Sequence, residues 1–545
     1  MFESLRIMAA TLPAVALWVV SLGKWGESIS VRTTNRLVVG AAYLGLVASI
    51  VSLITTPATG PLTAGIGGRW SEGLSIYIDN VSVIMLTLVS FLAVLITRYS
   101  ATYLAGQAGQ RRFMIWLART IAAVLTLVIA GNLLLFFLAW ALMSLALHQL
   151  LTFNSDRPAA ILAARKKFIV SRCGDLCLIG ALIASYSIFG TWQFQNLFAA
   201  AAHRHAAGGE NLIVWLLVAA ACLKSAQFPF HSWLPDTMET PTPVSALMHA
   251  GIINAGGFLL IRFSPLLIHC PVPLMTLAVI GIATTLTGSL AMMTQTSIKR
   301  QLAYSTVTQM GYMMIECGLG AFGLALLHLV AHAFYKSHSF LASGSTVRNA
   351  PIAQFRRLYR HHHTAANIAA ALTAAALLIA VTVLSIHGLI GPNHLPLLTA
   401  AGIAVCLLIW RAVAGRYAQA AMIRWVLGLG VLAAAYPLLS RLSDAVLAAN
   451  SMVGSGAGSG NLPPEPWAFS LLLCVPLVLL GFLQWLMISG QKPTYLRALY
   501  VHALSGFYIG VLANRLTTSI WCCIGNLRSC LSGADHAPAP ASQEI

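Results

Sequence analysis

Runs of about twenty apolar residues, separated by short polar stretches, recur along the whole chain. That length of helix crosses the ~30 Å hydrocarbon core of a bilayer, so the pattern predicts an all-α polytopic membrane protein. About fifteen spans are expected, near 5–22, 36–56, 76–97, 113–130, 131–153, 168–189, 211–238, 243–263, 272–294, 300–317, 319–345, 365–389, 397–411, 421–440 and 467–489. The first run lacks a basic leading region and a small-residue cleavage site, so it reads as a retained helix.

The pattern is most disturbed in the seventh span. Lys224 follows a dozen apolar residues, and four prolines come after it: Pro229, Pro235, Pro241 and Pro243. A charge inside a span is costly and marks a functional position. Proline removes a backbone donor, so a helix starting near Asn211 breaks near Pro229. Freed backbone is tolerated at that depth where it lines a cavity. His249 follows on the next span. In span eleven, His328, His332 and Lys336 are spaced by four and share one helical face. Histidine exchanges protons near neutral pH, and desolvation eases proton release from lysine, so the three suit a proton relay. A metal site needs further Cys or carboxylate ligands, which the neighbourhood does not supply.

Composition narrows the picture. The chain has 545 residues, 58% hydrophobic and 8% charged, with a formal charge of +18. The basic residues gather in alternate loops, for example Arg111, Arg112, Arg165, Lys166, Lys167, Arg356, Arg357 and Arg360. Opposite loops hold little beyond Arg69, Arg204 and Arg441. This is positive-inside topology, not a nucleic-acid surface, and it places the N-terminus outside and the C-terminus in the cytoplasm. Arg165, Lys166 and Lys167 read here as topological charge. The ten cysteines suggest no disulfide framework, and no nucleotide, redox or catalytic motif appears. Loop 350–364, with His361 to His363, reads as a solvated basic loop able to dock a partner. Residues 451–466 read as a flexible outside loop, and the amphipathic tail 491–528 as an interfacial or partner-binding helix.

The stretch KSAQFPFHSWLPDTMETPTPVSALMHAG, residues 224–251, resembles the signature of antiporter-like membrane subunits, including complex I subunit L and the Mrp cation/proton antiporters. TQTSIKRQLAYSTVTQMGYMM, residues 294–314, resembles a second motif of that family. The run DRPAAILAARKKFIVSRCGD, residues 156–175, is similar to the DabB-type subunits of inorganic-carbon accumulation complexes.

The resemblance implies two inverted five-helix units with broken helices. The expected divisions are 1–112, 113–264, 265–415, 416–490 and the tail 491–545. It implies a proton path through Lys224, Asp175, His249, His328, His332, Lys336 and Lys299, with His148, His387 and Asp79 as accessories. The family glutamate after the span-five tryptophan is missing, since Ala141 follows Trp140. Asp175 is the favoured counter-ion of Lys224, and His148 the other candidate. The lysine often found in span twelve is also absent, leaving His387 before the Gly388, Gly391 and Pro392 breakers. Complex I subunit L carries a long lateral helix after its last bundle span, and the 56 residues after position 489 are too few for it. The implied location is a bacterial inner membrane. The implied partner is a cytoplasmic DabA-like zinc protein related to carbonic anhydrases, with no cofactor in this chain.

Overall fold

The computed structural model describes residues 2–22, 29–65, 74–203, 209–344, 395–414, 441–447, 466–488 and 494–531, with the single residues 373, 438 and 439. Loop 350–364, His387 and residues 451–465 therefore lie outside the described residues. So do most of the expected spans twelve and fourteen.

The described chain is a helical bundle. Helices α1 (Phe2–Leu22) and α2 (Val31–Thr59) form an antiparallel pair, followed by α3 (Asn80–Tyr103), α4 (Gln110–Ile129), α5 (Leu133–Leu151) and α6 (Pro158–Phe189). A short α7 (Phe194–His203) leads to α8 (Gly209–Lys224). Beyond a break come α9 (Thr242–Ala250), α10 (Ala255–Arg262), α11 (Pro271–Thr294), α12 (Ile298–Gly318) and α13 (Phe322–Leu341). The remaining helices are α14 (Leu395–Ala414), α15 (Pro466–Ile488), α16 (Thr494–Leu504) and α17 (Ile509–Leu531). Among the described residues, nine helices are long and apolar enough to cross a membrane, with α9 and α10 counted as one. The bent pair α16–α17, with 56° between its halves, makes a tenth if taken as one span.

Local chemistry sets several boundaries. The Asp79 and Asn132 side chains cap α3 and α5, accepting from Ser82 N and Leu135 N at 2.7 Å each. Pro158 occupies the first turn of α6, where its missing N–H costs nothing. Helix α6 thus begins ten residues before the expected start of span six and carries Lys166 and Lys167 into the bundle. The all-α expectation overlooks one feature: Leu62–Gly65 and Ser75–Ile78 pair antiparallel, and Gly131 N donates to Ser75 O at 2.7 Å beside them.

The break begins at Lys224, five residues before Pro229. Helix α8 ends at Lys224, and short turns at Phe230–Ser232, Trp233–Asp236 and Thr237–Glu239 follow. The next span is broken too, by a turn at Ile252–Asn254. The two breaks lie together, with the Ser225 hydroxyl donating to Ile253 O at 2.8 Å. Gly256 permits this, because a Cβ there would stand 2.3 Å from Ser225 Oγ and 2.6 Å from Ala221 O.

Candidate proton path

Among the described residues, the expected path residues inside the bundle fall mainly into two clusters. In the first, Lys224 at the end of α8 is 6% exposed and donates to Ser144 Oγ on α5 at 2.9 Å. Its ammonium also lies 4.5 Å from the centre of the Trp140 ring, a cation–π distance. Lys167 of α6 is equally buried and donates to the Ser144 carbonyl at 3.0 Å. One residue of α5 therefore holds two lysines, through its hydroxyl and its carbonyl. Asp175, on α6, forms an ion pair with Arg172 at 2.8 Å. The direct partner of Lys224 is thus Ser144 and not Asp175. Lys167, Arg172 and Asp175 all act on Lys224 through space, so the four charges share one environment. Lys166, next to Lys167, pairs with Asp236 of the broken segment at 2.5 Å. Lys166 and Lys167 are consequently internal groups, which corrects their reading as topological charge.

The second cluster runs between α12 and α13. His249 on α9 is fully buried, with Nδ1 3.1 Å from Thr306 Oγ1 and its ring stacked on Phe340 at 4.3 Å. Lys336 donates to Ser305 Oγ and to Leu302 O. One turn away, His332 is buried, and neither ring nitrogen has a hydrogen-bond partner among the described residues. The His328 ring centre is 6.2 Å from that of His332. His328 Nδ1 is 2.7 Å from Glu316 Oε1, and its Nε2 is 2.9 Å from Gln309 Oε1. The four-residue spacing on α13 thus places His328, His332 and Lys336 along the polar side chains of α12. Sequence reading missed Ser144, Lys167, Gln309 and Glu316. Glu316 had a signal, as the sole carboxylate of α12 inside an apolar run.

Lys299 and Asp79 stand apart from these clusters, whereas His148, one turn beyond Ser144 on α5, borders the first. Lys299 lies half-buried in the first turn of α12, about two turns before Ser305. His148 packs against Phe168, with ring centres 5.2 Å apart. Asp79 has a structural setting: it caps α3 and forms an ion pair with Arg262 of α10 at 2.6 Å, both groups 3% exposed. Arg262 also donates to Ser82 Oγ at 2.7 Å.

A polytopic bundle with paired helix breaks and a buried lysine–histidine ladder defines an antiporter-like ion-translocating subunit. The family model described as "NADH:quinone oxidoreductase/Mrp antiporter, TM" matches residues 130–423, more than half of the chain. That described as "NADH-Ubiquinone oxidoreductase (complex I), chain 5 N-terminus" matches residues 68–114. The chain belongs to this family of antiporter-like membrane subunits. It is 37% identical over 458 residues, 84% of both chains, to the "probable inorganic carbon transporter subunit DabB" of Hydrogenovibrio crunogenus. It is 48% identical over 52% of both chains to DabB2 of Halothiobacillus neapolitanus. It is 37% identical over 340 residues, 60% of this chain and 54% of the relative, to NADH-quinone oxidoreductase subunit L of Escherichia coli. A chain of the Mrp complex from a Dietzia species shares the fold at TM-score 0.59 and 20% identity, covering 97% of this chain and 60% of that one.

Proposed function

We propose that the chain is the proton-conducting membrane subunit of an energy-coupled inorganic-carbon uptake complex. Proton flow through it would be coupled to a cytoplasmic DabA-like zinc partner, related to carbonic anhydrases, that converts CO2 to bicarbonate. The similarity to a DabB subunit over 84% of both chains carries this reading. The buried ladder supplies its chemistry.

In this reading Lys224 is the exchangeable charge of a first unit, residues 113–264. Lys167 and the Arg172–Asp175 pair set the charge around it. His249 stands at the helix break and hands protons to a second unit, residues 265–415. There Lys336, His332 and His328 pass them along α13, with bridging water or side-chain swings completing steps of about 6 Å. Lys299 lies at an entrance to this unit. The basic bias of alternate loops sets the N-terminus on the periplasmic side of a bacterial inner membrane and the C-terminus in the cytoplasm. Asp79 serves assembly, through its pair with Arg262.

The test replaces Lys224 with Ala and measures bicarbonate-dependent growth and protonophore-sensitive carbon uptake at low CO2. Uptake should be lost while insertion and partner binding persist. Full uptake by an assembled variant complex would reject conduction through Lys224 and favour a membrane scaffold, the reading prompted by Ala141. The identity to subunit L sustains another reading, a proton-pumping subunit of a redox complex. Co-purification of redox subunits in place of a carbonic-anhydrase-like protein would select it.

A further inference from the structure

Glu316 is a fully buried carboxylate on α12 that the relay described above does not use. Its Oε1 lies 2.7 Å from His328 Nδ1, and Gln309 Oε1 lies 2.9 Å from Nε2 of the same ring. Gln309 and Glu316 are seven residues apart on one helix, about 10 Å along its axis. The imidazole is suspended between them from the facing helix. With the Gln309 oxygen as acceptor, Nε2 carries a hydrogen. The Nδ1 lone pair and an ionised carboxylate cannot face each other at 2.7 Å without a proton between them. One proton therefore belongs to the contact, on Nδ1 or on Oε1.

We propose that Glu316 is a proton-storing residue at the end of the α13 ladder, loaded and emptied through His328. Loading breaks the Nδ1–H bond of the imidazolium and forms an O–H bond on Glu316. The ring becomes neutral, and the carboxylate becomes a carboxylic acid. Emptying reverses this, and no other reactant is consumed. The remaining titratable groups along the same face are His332, one turn from His328, and then Lys336. The second oxygen of Glu316 has no hydrogen-bond partner among the described residues. Helix α12 thus carries a buried carboxylate of the second unit in a chain whose position 141 has none. The assignment rests on the reading of the chain as a proton conductor, and its test is chosen so that the two fail separately.

Glu316→Gln keeps size and a hydrogen bond to His328 but removes the site for a proton, whereas Glu316→Asp retains a carboxyl group. The first measurement is infrared difference spectroscopy of the purified complex in lipid, titrated across the range of carboxyl and imidazole groups. A carboxylic-acid carbonyl band that changes with pH should be present in the wild type, absent in Glu316→Gln and shifted in Glu316→Asp. Lack of any Glu316-dependent band overturns the storage role whether or not the complex moves protons. The second measurement is protonophore-sensitive carbon uptake in intact cells. Glu316→Gln should lower it on the order of a hundredfold, the scale on which a missing proton-transfer group is felt, and Glu316→Asp should restore part of it. Wild-type uptake by Glu316→Gln, in a background where His332→Gln is inactive, overturns Glu316 and leaves the relay standing. An intact band without proton-coupled uptake in the wild type overturns the conduction reading alone.

Discussion

His332 sits between two anchored groups and has no hydrogen-bond anchor among the described residues. His328 is held by Glu316 and Gln309, and Lys336 by Ser305 and the Leu302 carbonyl. A ring that no hydrogen bond fixes suits a group that must face each neighbour alternately. His332→Gln keeps polarity and approximate size but cannot titrate. Carbon uptake by this variant should fall on the order of a hundredfold, with insertion and partner binding at wild-type level. Uptake that keeps its wild-type rate and its sensitivity to a protonophore makes the histidines packing residues. Lys224, His249, His328, His332 and Lys336 were legible because each interrupts an apolar run. Ser144 was not, since a serine in a span more often bonds its own helix. Its role comes from Lys224 and Lys167, 80 and 23 positions away in sequence, meeting at one turn of α5. Lys167 was hidden by its neighbours: beside Arg165 and Lys166 it reads as loop charge until α6 is seen to start at Pro158.

Between elements, the Asp79–Arg262 pair ties the first turn of α3 to the last turn of α10 across 183 positions. Both groups are 3% exposed, and Asp79 also caps α3. Removing one member strands the other in a dry site, a change that costs about 3 to 5 kcal/mol. Arg262→Leu should therefore lower the thermal unfolding temperature of the purified subunit markedly. The double substitution Asp79→Asn with Arg262→Leu should recover part of that loss, because no uncompensated charge remains. Equal unfolding temperatures for wild type and the single variant would mean that the pair adds nothing to the junction. The break after Lys224 was legible from its four prolines, although the turns that fill it were not. The second break, at Ile252–Asn254, carries no proline. It arises where Gly256 lets α10 press against the end of α8, a tertiary contact that periodicity does not encode. The hairpin before α3 was missed for a related reason, since four-residue strands fall below the window in which alternation is readable.

At the scale of the whole molecule, α17 decides what the cytoplasmic reading predicts. It packs against α6, with Trp521 meeting Arg165 at 4.9 Å and Phe168 at 6.1 Å. Between α17, α6, α8 and α11 lies an apolar cavity of about 650 Å³, with Lys166 on its wall. The tail is thus joined to the helix that carries Lys166, Lys167 and Asp175, and a protein bound to α17 would be mechanically linked to the first charged cluster. Removing the chain from residue 494 onward leaves α1 to α15, including every helix that holds the two clusters. The truncated subunit should still insert, because none of the ion pairs or lysine hydrogen bonds of the two clusters involves residue 494 or beyond. It should lose the cytoplasmic partner proposed above from purified membranes, and carbon uptake with it. Trp521→Ala is the milder version: it removes the contacts to Arg165 and Phe168 while leaving the helix in place. If the linkage runs through α6, this variant should retain the partner yet take up carbon more slowly. Normal partner yield from the truncated chain would place docking on another face. Normal uptake by Trp521→Ala would separate α17 from the proton path.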